Sequence, residues 1–134
     1  MKVLYALICE DADARDDGRL DVRGVFHQLY AEGFPARQEA MTLAIAIEWE
    51  PHERGIFQFA VDLLDPTRSP VLTISAETDV QHHGGPSEAP LRSQMVLPLS
   101  DVVFPREGTY VFELKVGEER RPLAPLHLIR HRQS

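Results

Sequence analysis

The sequence predicts an all-β protein, an antiparallel β-sandwich of about eight strands. Apolar residues recur at every second position in several segments, helical periodicity is hard to find, and clusters of turn-forming residues separate the segments. The chain has 134 residues, of which 43% are hydrophobic and 26% are charged, close to the average for globular proteins. We therefore expect a single domain over residues 1–134.

The first quarter of the chain is predicted to contain a hairpin followed by a long crossover. The apolar residues 3–9 and the segment 20–26 are separated by Asp17-Gly18, a strong two-residue turn signal. The acidic residues 10–18 are expected to form a solvated hairpin loop. Residues 31–40 fit no regular element, and we expect them to cross between the sheets, with one helical turn after Pro35.

Six further strands are predicted, and each of them is expected to have one solvent-exposed face. The clearest begins at Met41, where every second residue up to Trp49 is large and apolar, while Thr42, Ala44 and Ala46 fall on the opposite face. This alternation is typical of antiparallel sheets. The six strands are residues 41–50, 55–65, 71–80, 91–99, 109–116 and 123–130.

A local pattern around Tyr110 refines the predicted topology. Gly108 stands two residues before Tyr110 at the entry to a strand, which resembles the tyrosine corner of immunoglobulin-like sandwiches. Phe112 stands where immunoglobulin domains carry a cysteine, so apolar packing would replace the disulfide. The pattern favours an immunoglobulin-like β-sandwich, although a tyrosine that simply begins a strand would give the same letters.

Four segments, residues 20–26, 34–36, 63–66 and 105–114, together resemble a bacterial family of small uncharacterised proteins, a domain of unknown function. Their layout is G-x-F…FP…L-x-D-P…P-x-x-G-x-Y-x-F-E. The resemblance spans nearly the whole chain, and its motifs are turns and corners. It implies a single β-sandwich domain in the bacterial cytoplasm and brings no catalytic residues with it.

The N-terminal apolar run is predicted to be a strand, and not a targeting segment or a membrane span. The run is about seven residues long, and Glu10 and Asp11 follow it where a signal peptide would have a small-residue cleavage site. Cys9, the single cysteine, is expected to be a reduced, partly buried hydrophobic residue. We therefore expect a cytoplasmic protein without membrane contact.

Catalytic chemistry is not predicted, and we expect no cofactor and no catalytic, cofactor-binding or metal-binding residue. His82 and His83 lie in a Gly-rich loop near Glu77 and Glu88, which is expected to be solvated. The acidic residues 10–18 lack the calcium-loop pattern of oxygen ligands. The sequence has no nucleophile elbow and no phosphate-binding glycine loop.

The predicted function is a non-catalytic binding or assembly module that acts through a protein partner or as a homodimer. A net charge of −7 argues against nucleic acid as the partner. The expected contact surfaces are an edge strand or the apolar connectors, residues 29–35 and 101–105, which would otherwise plug the ends of the sandwich. Four arginines near the C-terminus are expected to protect a sheet edge or to dock an acidic partner.

Two alternatives to a binding module stay open. A small-ligand carrier would have an apolar cavity between the sheets lined by Trp49, Phe57, Phe59 and Met95. A weak metal-dependent enzyme would use the loop of His82 and His83, with nearby carboxylates converging on the ion.

Overall fold

Nine β-strands and no helix make up residues 1–81 and 90–131, which are the residues that this computed structural model describes. None of these residues forms a helix long and apolar enough to cross a membrane. The strands are β1 (Lys2–Ala14), β2 (Leu20–Val25), β3 (Gln28–Ala31), β4 (Ala36–Glu48), β5 (Gly55–Leu64), β6 (Pro70–Val80), β7 (Arg92–Phe104), β8 (Gly108–Val116) and β9 (Glu119–Arg130).

The strands form two packed sheets. The four-stranded sheet has the order β2-β1-β4-β7, and the five-stranded sheet has the order β3-β9-β8-β5-β6 and curls into a half-barrel. All neighbouring strands are antiparallel except β3 and β9, which are parallel. The predicted all-β class with two packed sheets is confirmed, whereas the parallel pair was not predicted.

The predicted crossover between the sheets is present but shorter than residues 31–40, because β3 belongs to the five-stranded sheet and β4 to the four-stranded sheet. The helical turn predicted within it is wrong. Ala31 ends β3, a cis peptide bond joins Phe34 to Pro35, and β4 begins directly afterwards at Ala36. No helical turn follows Pro35, because Arg37 pairs with Val103 and the ladder to β7 continues along the strand. Residues 36–40 have good intrinsic helix propensity, and sheet pairing overrides it.

The core lies between the two sheets and is built from the apolar residues that alternate along each strand. Leu43 and Ile45 of β4 face Phe112 and Leu114 of β8, and all four side chains are fully buried. The alternation of apolar residues along the sequence therefore correctly predicted which side chains of the central strands face the core.

The outer face of β4 differs from the prediction, because it is also buried. Thr42, Ala44 and Ala46 are 6%, 0% and 2% exposed, although they were expected to face solvent. Leu7 of β1 and Val96 of β7 lie in register on either side of Ala44 and cover it. Small side chains on a central strand are thus hidden by their larger neighbours in the same sheet face.

The predicted first hairpin is confirmed, but its acidic loop is wrong. Gly18 makes the turn with φ of 83°, which suits glycine. The acidic residues 11–14 belong to β1 and pair with β2. Arg23 of β2 donates hydrogen bonds to the carboxylates of Asp11 and Asp13, which offsets the repulsion between the acids and allows the strands to extend.

Candidate functional site

The hydrogen bonding of a tyrosine corner is present at Tyr110. Its buried hydroxyl donates to the carbonyl oxygen of Arg106 at 2.7 Å and accepts from the N–H of the same residue at 3.1 Å. The ring packs edge-on against Phe104 with the ring centroids 5.1 Å apart. The corner therefore fixes the entry into β8 and has a structural role.

A tight turn after β5 packs against this corner. The Asp65 carboxylate accepts hydrogen bonds from the N–H and the hydroxyl of Thr67 and from the N–H of Ser69, at 2.9, 2.7 and 2.9 Å. Pro66 approaches Gly108 so closely that a Cβ there would lie 2.6 Å from the Pro66 ring. Two of the segments that carry the family resemblance, 63–66 and 105–114, thus meet at one end of the sandwich and serve the fold.

Protonation of Asp65 is expected to account for part of the protein's loss of stability in acid. The Thr67 hydroxyl, followed by the N–H of Ser69, holds the pKa of this carboxyl below its ordinary value. The Asp65 carboxylate stabilises the fold fully at a pH above the pKa of about 4 that it has in the unfolded chain. This stabilisation is lost as the pH falls through the lower pKa that the group has in the folded protein. We expect the urea midpoint of the wild type to fall more steeply between about pH 5 and pH 2 than that of Asp65→Asn. Parallel pH profiles of the two proteins would contradict this prediction.

The residues considered for metal or nucleophilic chemistry are not brought together. His82 and His83 lie outside the described residues. Among residues 1–81 and 90–131, no group of three His, Cys, Asp or Glu side chains could hold a metal ion. Burial, followed by the nearby Asp11 carboxylate, raises the pKa of the Cys9 thiol, so the group stays protonated at neutral pH.

The two apolar connectors mostly plug the sandwich. Val102 and Phe104 belong to the core, and Leu29 and Phe34 pack against it. Val103 and Tyr30 are the large hydrophobic residues of these segments that stay exposed, at 50% and 60%. Val103 is therefore exposed singly, whereas Tyr30 forms a small exposed patch with Ile129, its partner in register on β9.

A cavity of about 930 Å³ opens over β5, between β6 and β8. Of the four residues expected to line a cavity between the sheets, Phe57 and Phe59 line this one, whereas Trp49 and Met95 do not. Trp49 is buried, stacks on Phe57 at 4.9 Å and donates its indole N–H to Ser93. Glu77, Lys115 and Glu119 also line the cavity, so it is open and partly charged instead of apolar and enclosed between the sheets.

Three of the four edge strands are protected against pairing with another chain. β2 is short and carries the charged Arg23, and β3 has only four residues. β7 is long, but Pro98 has no backbone N–H to donate a hydrogen bond. Asp101, with a φ of 54°, distorts the backbone of the same strand. Shortness, charge, proline and backbone distortion are the usual means of blocking an edge.

Within residues 1–81 and 90–131, β6 is the least protected edge, although it carries the charged residues Glu77 and Asp79. It has 11 residues, and after Pro70 at its start it contains no proline, lysine or arginine. β-Branched residues are frequent in it, and Thr73, Ser75, Ala76 and Glu77 are exposed. In the part of the chain that the structure describes, β5 is its only strand neighbour. Among the described residues, no strand pairs with the backbone N–H and C=O groups along the outer side of β6.

A family model described as a family of unknown function, DUF6941, matches residues 4–129. The chain belongs to the DUF6941 family. No curated protein and no solved structure matched the chain. The expected membership in a family of unknown function is confirmed, while the bacterial origin and the motif layout stay predictions.

Membership in DUF6941 assigns no site residues, so the candidate site rests on geometry. Residues 71–80 were predicted to form a strand, but not an open edge. Their signal is a long β-branched run without internal proline or basic residues. That signal becomes informative only when the strand order is known, because a central strand would have the same composition.

Proposed function

We propose that this DUF6941 protein is a non-catalytic binding module that captures an extended segment of a partner protein as an added strand along β6. The open edge of β6 carries the proposal. Addition of a strand to a sheet edge gains main-chain hydrogen bonds, and the alternating side chains of the segment provide specificity. The neighbouring strand β5 is paired on both sides and supports the edge.

The charge of β6 defines the chemistry of the partner. Glu77 and Asp79 are the charged residues of β6, and both lie on its outer face with Ser75. Glu53, Glu77 and Glu119 line the neighbouring cavity together with one cation, Lys115, so its lining has an excess of carboxylates. A complementary segment alternates apolar or β-branched residues with lysine or arginine, because opposite charges on adjacent strands stabilise the pairing.

We also propose an immunoglobulin-like topology and a cytoplasmic location. The tyrosine corner before β8 supports the topology, together with the β4–β7 pair in one sheet and the β5-β8-β9 neighbours in the other. These correspond to the B–E pair and the C-F-G neighbours of that fold. The free Cys9 thiol supports the location, because oxidising compartments favour disulfides.

A synthetic nine-residue peptide that alternates valine and lysine tests the proposed function. We expect it to slow amide hydrogen exchange along residues 71–79, with a Kd in the micromolar range. Glu77→Lys should weaken binding about tenfold, because it places like charges on adjacent strands. Glu32→Lys is the matched control, since it makes the same charge change in an exposed turn far along the chain, and its affinity should be unchanged.

Peptide methylated at alternate amide nitrogens separates strand addition from simple charge attraction. This peptide keeps its charge but cannot complete the ladder, so its binding should be lost. Equal affinity of the methylated peptide, or unchanged exchange of the β6 amides, would overturn the proposal. If the β6 amides of the protein without peptide were protected from exchange, and this protection disappeared on dilution, a second copy of the chain would be the occupant of the edge. This result would also overturn the proposal.

A further inference from the structure

The outer face of the four-stranded sheet has an uncharged centre. Its middle row consists of Leu7, Ala44 and Val96, in register across β1, β4 and β7. The rows on either side, through Tyr5 and Pro98, also contain no charged residue. Val25 of β2 pairs with Cys9 beside these rows and is 57% exposed. Outer faces of antiparallel sheets are normally polar, so this centre is unusual.

Opposite charges border this centre at its two ends. Where β1 pairs with β2, Asp11 and Asp13 form ion pairs with Arg23, and Asp21, in register with Asp13, forms one with Arg15; we call this the acidic end. Lys2 and Arg92 lie on either side of Glu48 at the other end, and we call this the basic end. The acidic end has an excess of carboxylates, and the basic end has an excess of cations.

We propose that this face is the interface of a symmetric homodimer. A two-fold axis in the plane of the interface and perpendicular to the strands places β1 over β1 and stacks the uncharged centres. The same axis lays the acidic end of each copy over the basic end of the other, with Lys2 near Asp13 of the second copy. A two-fold axis parallel to the strands would instead bring like charges together, so the charge pattern selects one orientation.

The size of the face fits a reversible dimer. The three long strands β1, β4 and β7, spaced by about 4.8 Å over roughly twelve residues of length, cover about 600 Å² per copy. This is the lower end of the range for specific complexes, which corresponds to association in the micromolar range. Because β6 belongs to the other sheet, the dimer leaves both β6 edges open, and it stands independently of the proposed function.

Analytical ultracentrifugation of the full chain from about 1 μM to 1 mM tests the dimer. We expect a monomer–dimer equilibrium that Val96→Lys weakens about 30-fold, since it places an unpaired charge in the uncharged centre. Pro98→Lys, at an exposed position in the next row, should act in the same direction. Ile56→Lys is the matched control, because Ile56 is exposed on the other sheet, and its association should match the wild type.

A charge exchange tests the orientation of the two copies. Lys2→Glu and Asp13→Lys should each weaken association about fivefold, and the double variant should return to within about threefold of the wild type. A monomer at every concentration overturns the dimer. Dimers without recovery in the double variant, or dimers that Ile56→Lys disrupts while Val96→Lys does not, overturn this interface. Loss of peptide binding at β6 with dimerisation intact would affect only the proposed function.

Discussion

Replacement of Gly108 by alanine is expected to lower the free energy of unfolding by about 4 kcal/mol. Gly108 has a φ of 134°, a conformation that is strained for any residue with a Cβ. The added Cβ would also lie 2.6 Å from one carbon of the Pro66 ring and 3.2 Å from another, so the turn after β5 must move away from the corner. Urea unfolding followed by tryptophan fluorescence measures the change.

Two further variants separate backbone strain from the contact with Pro66. Gly18 has a φ of 83° and no atom within 4 Å of an added Cβ, so Gly18→Ala should cost only about 1 kcal/mol. Adding Pro66→Ala to Gly108→Ala should recover part of the loss through relief of the overlap. Equal losses for Gly108→Ala and Gly18→Ala would contradict the prediction.

Tyr110→Phe is expected to lower the free energy of unfolding by about 2 kcal/mol. The substitution keeps the edge-on contact with Phe104 but removes the hydroxyl that both donates to and accepts from the Arg106 backbone. The N–H and C=O of Arg106 are then left without this partner, and the cost of such unsatisfied groups exceeds that of a lost surface hydrogen bond. Urea denaturation at neutral pH measures the change.

Tyr30→Phe is the matched control for the corner. Tyr30 is 60% exposed, and its hydroxyl accepts a hydrogen bond from the side chain of Gln28, which water can replace. The control should change stability by less than about 0.5 kcal/mol. If the two substitutions gave similar losses, the hydroxyl of Tyr110 would have no special role in the corner.

The strands were predictable wherever one face of the sheet is apolar and the other polar. The prediction was wrong on the outer face of β4, because alanine and threonine are small enough to be hidden by larger neighbours. Leu7 and Val96, which cover Ala44, lie far from it in the sequence and next to it only in the sheet. Burial of a small residue therefore depends on which strands pair with one another, and the alternation of residues along the sequence does not show this pairing.

The short strand β3 and the candidate site were beyond prediction for the same reason. β3 has four residues, too few for a clear alternation, and exists through its pairing with β9. The residues of β6 were correctly predicted as a strand, but its position at an edge follows from the order of all nine strands. The turn chemistry at Asp17-Gly18 and the corner at Tyr110 were predictable because each depends on neighbours in the sequence.

The parallel pairing of β3 with β9 has a consequence for biosynthesis. Gln28 of β3 pairs with His127 of β9. Because about a hundred residues separate the two, β3 leaves the ribosome long before its partner strand has been synthesised. Contacts between residues so distant in the chain form slowly. Until β9 has been synthesised, β3 lacks its only strand partner in the described part of the chain, and β8 lacks one of its two. Before β9 is present, the free side of β8 is therefore an open edge with which another chain can pair, and β9 covers it in the folded protein.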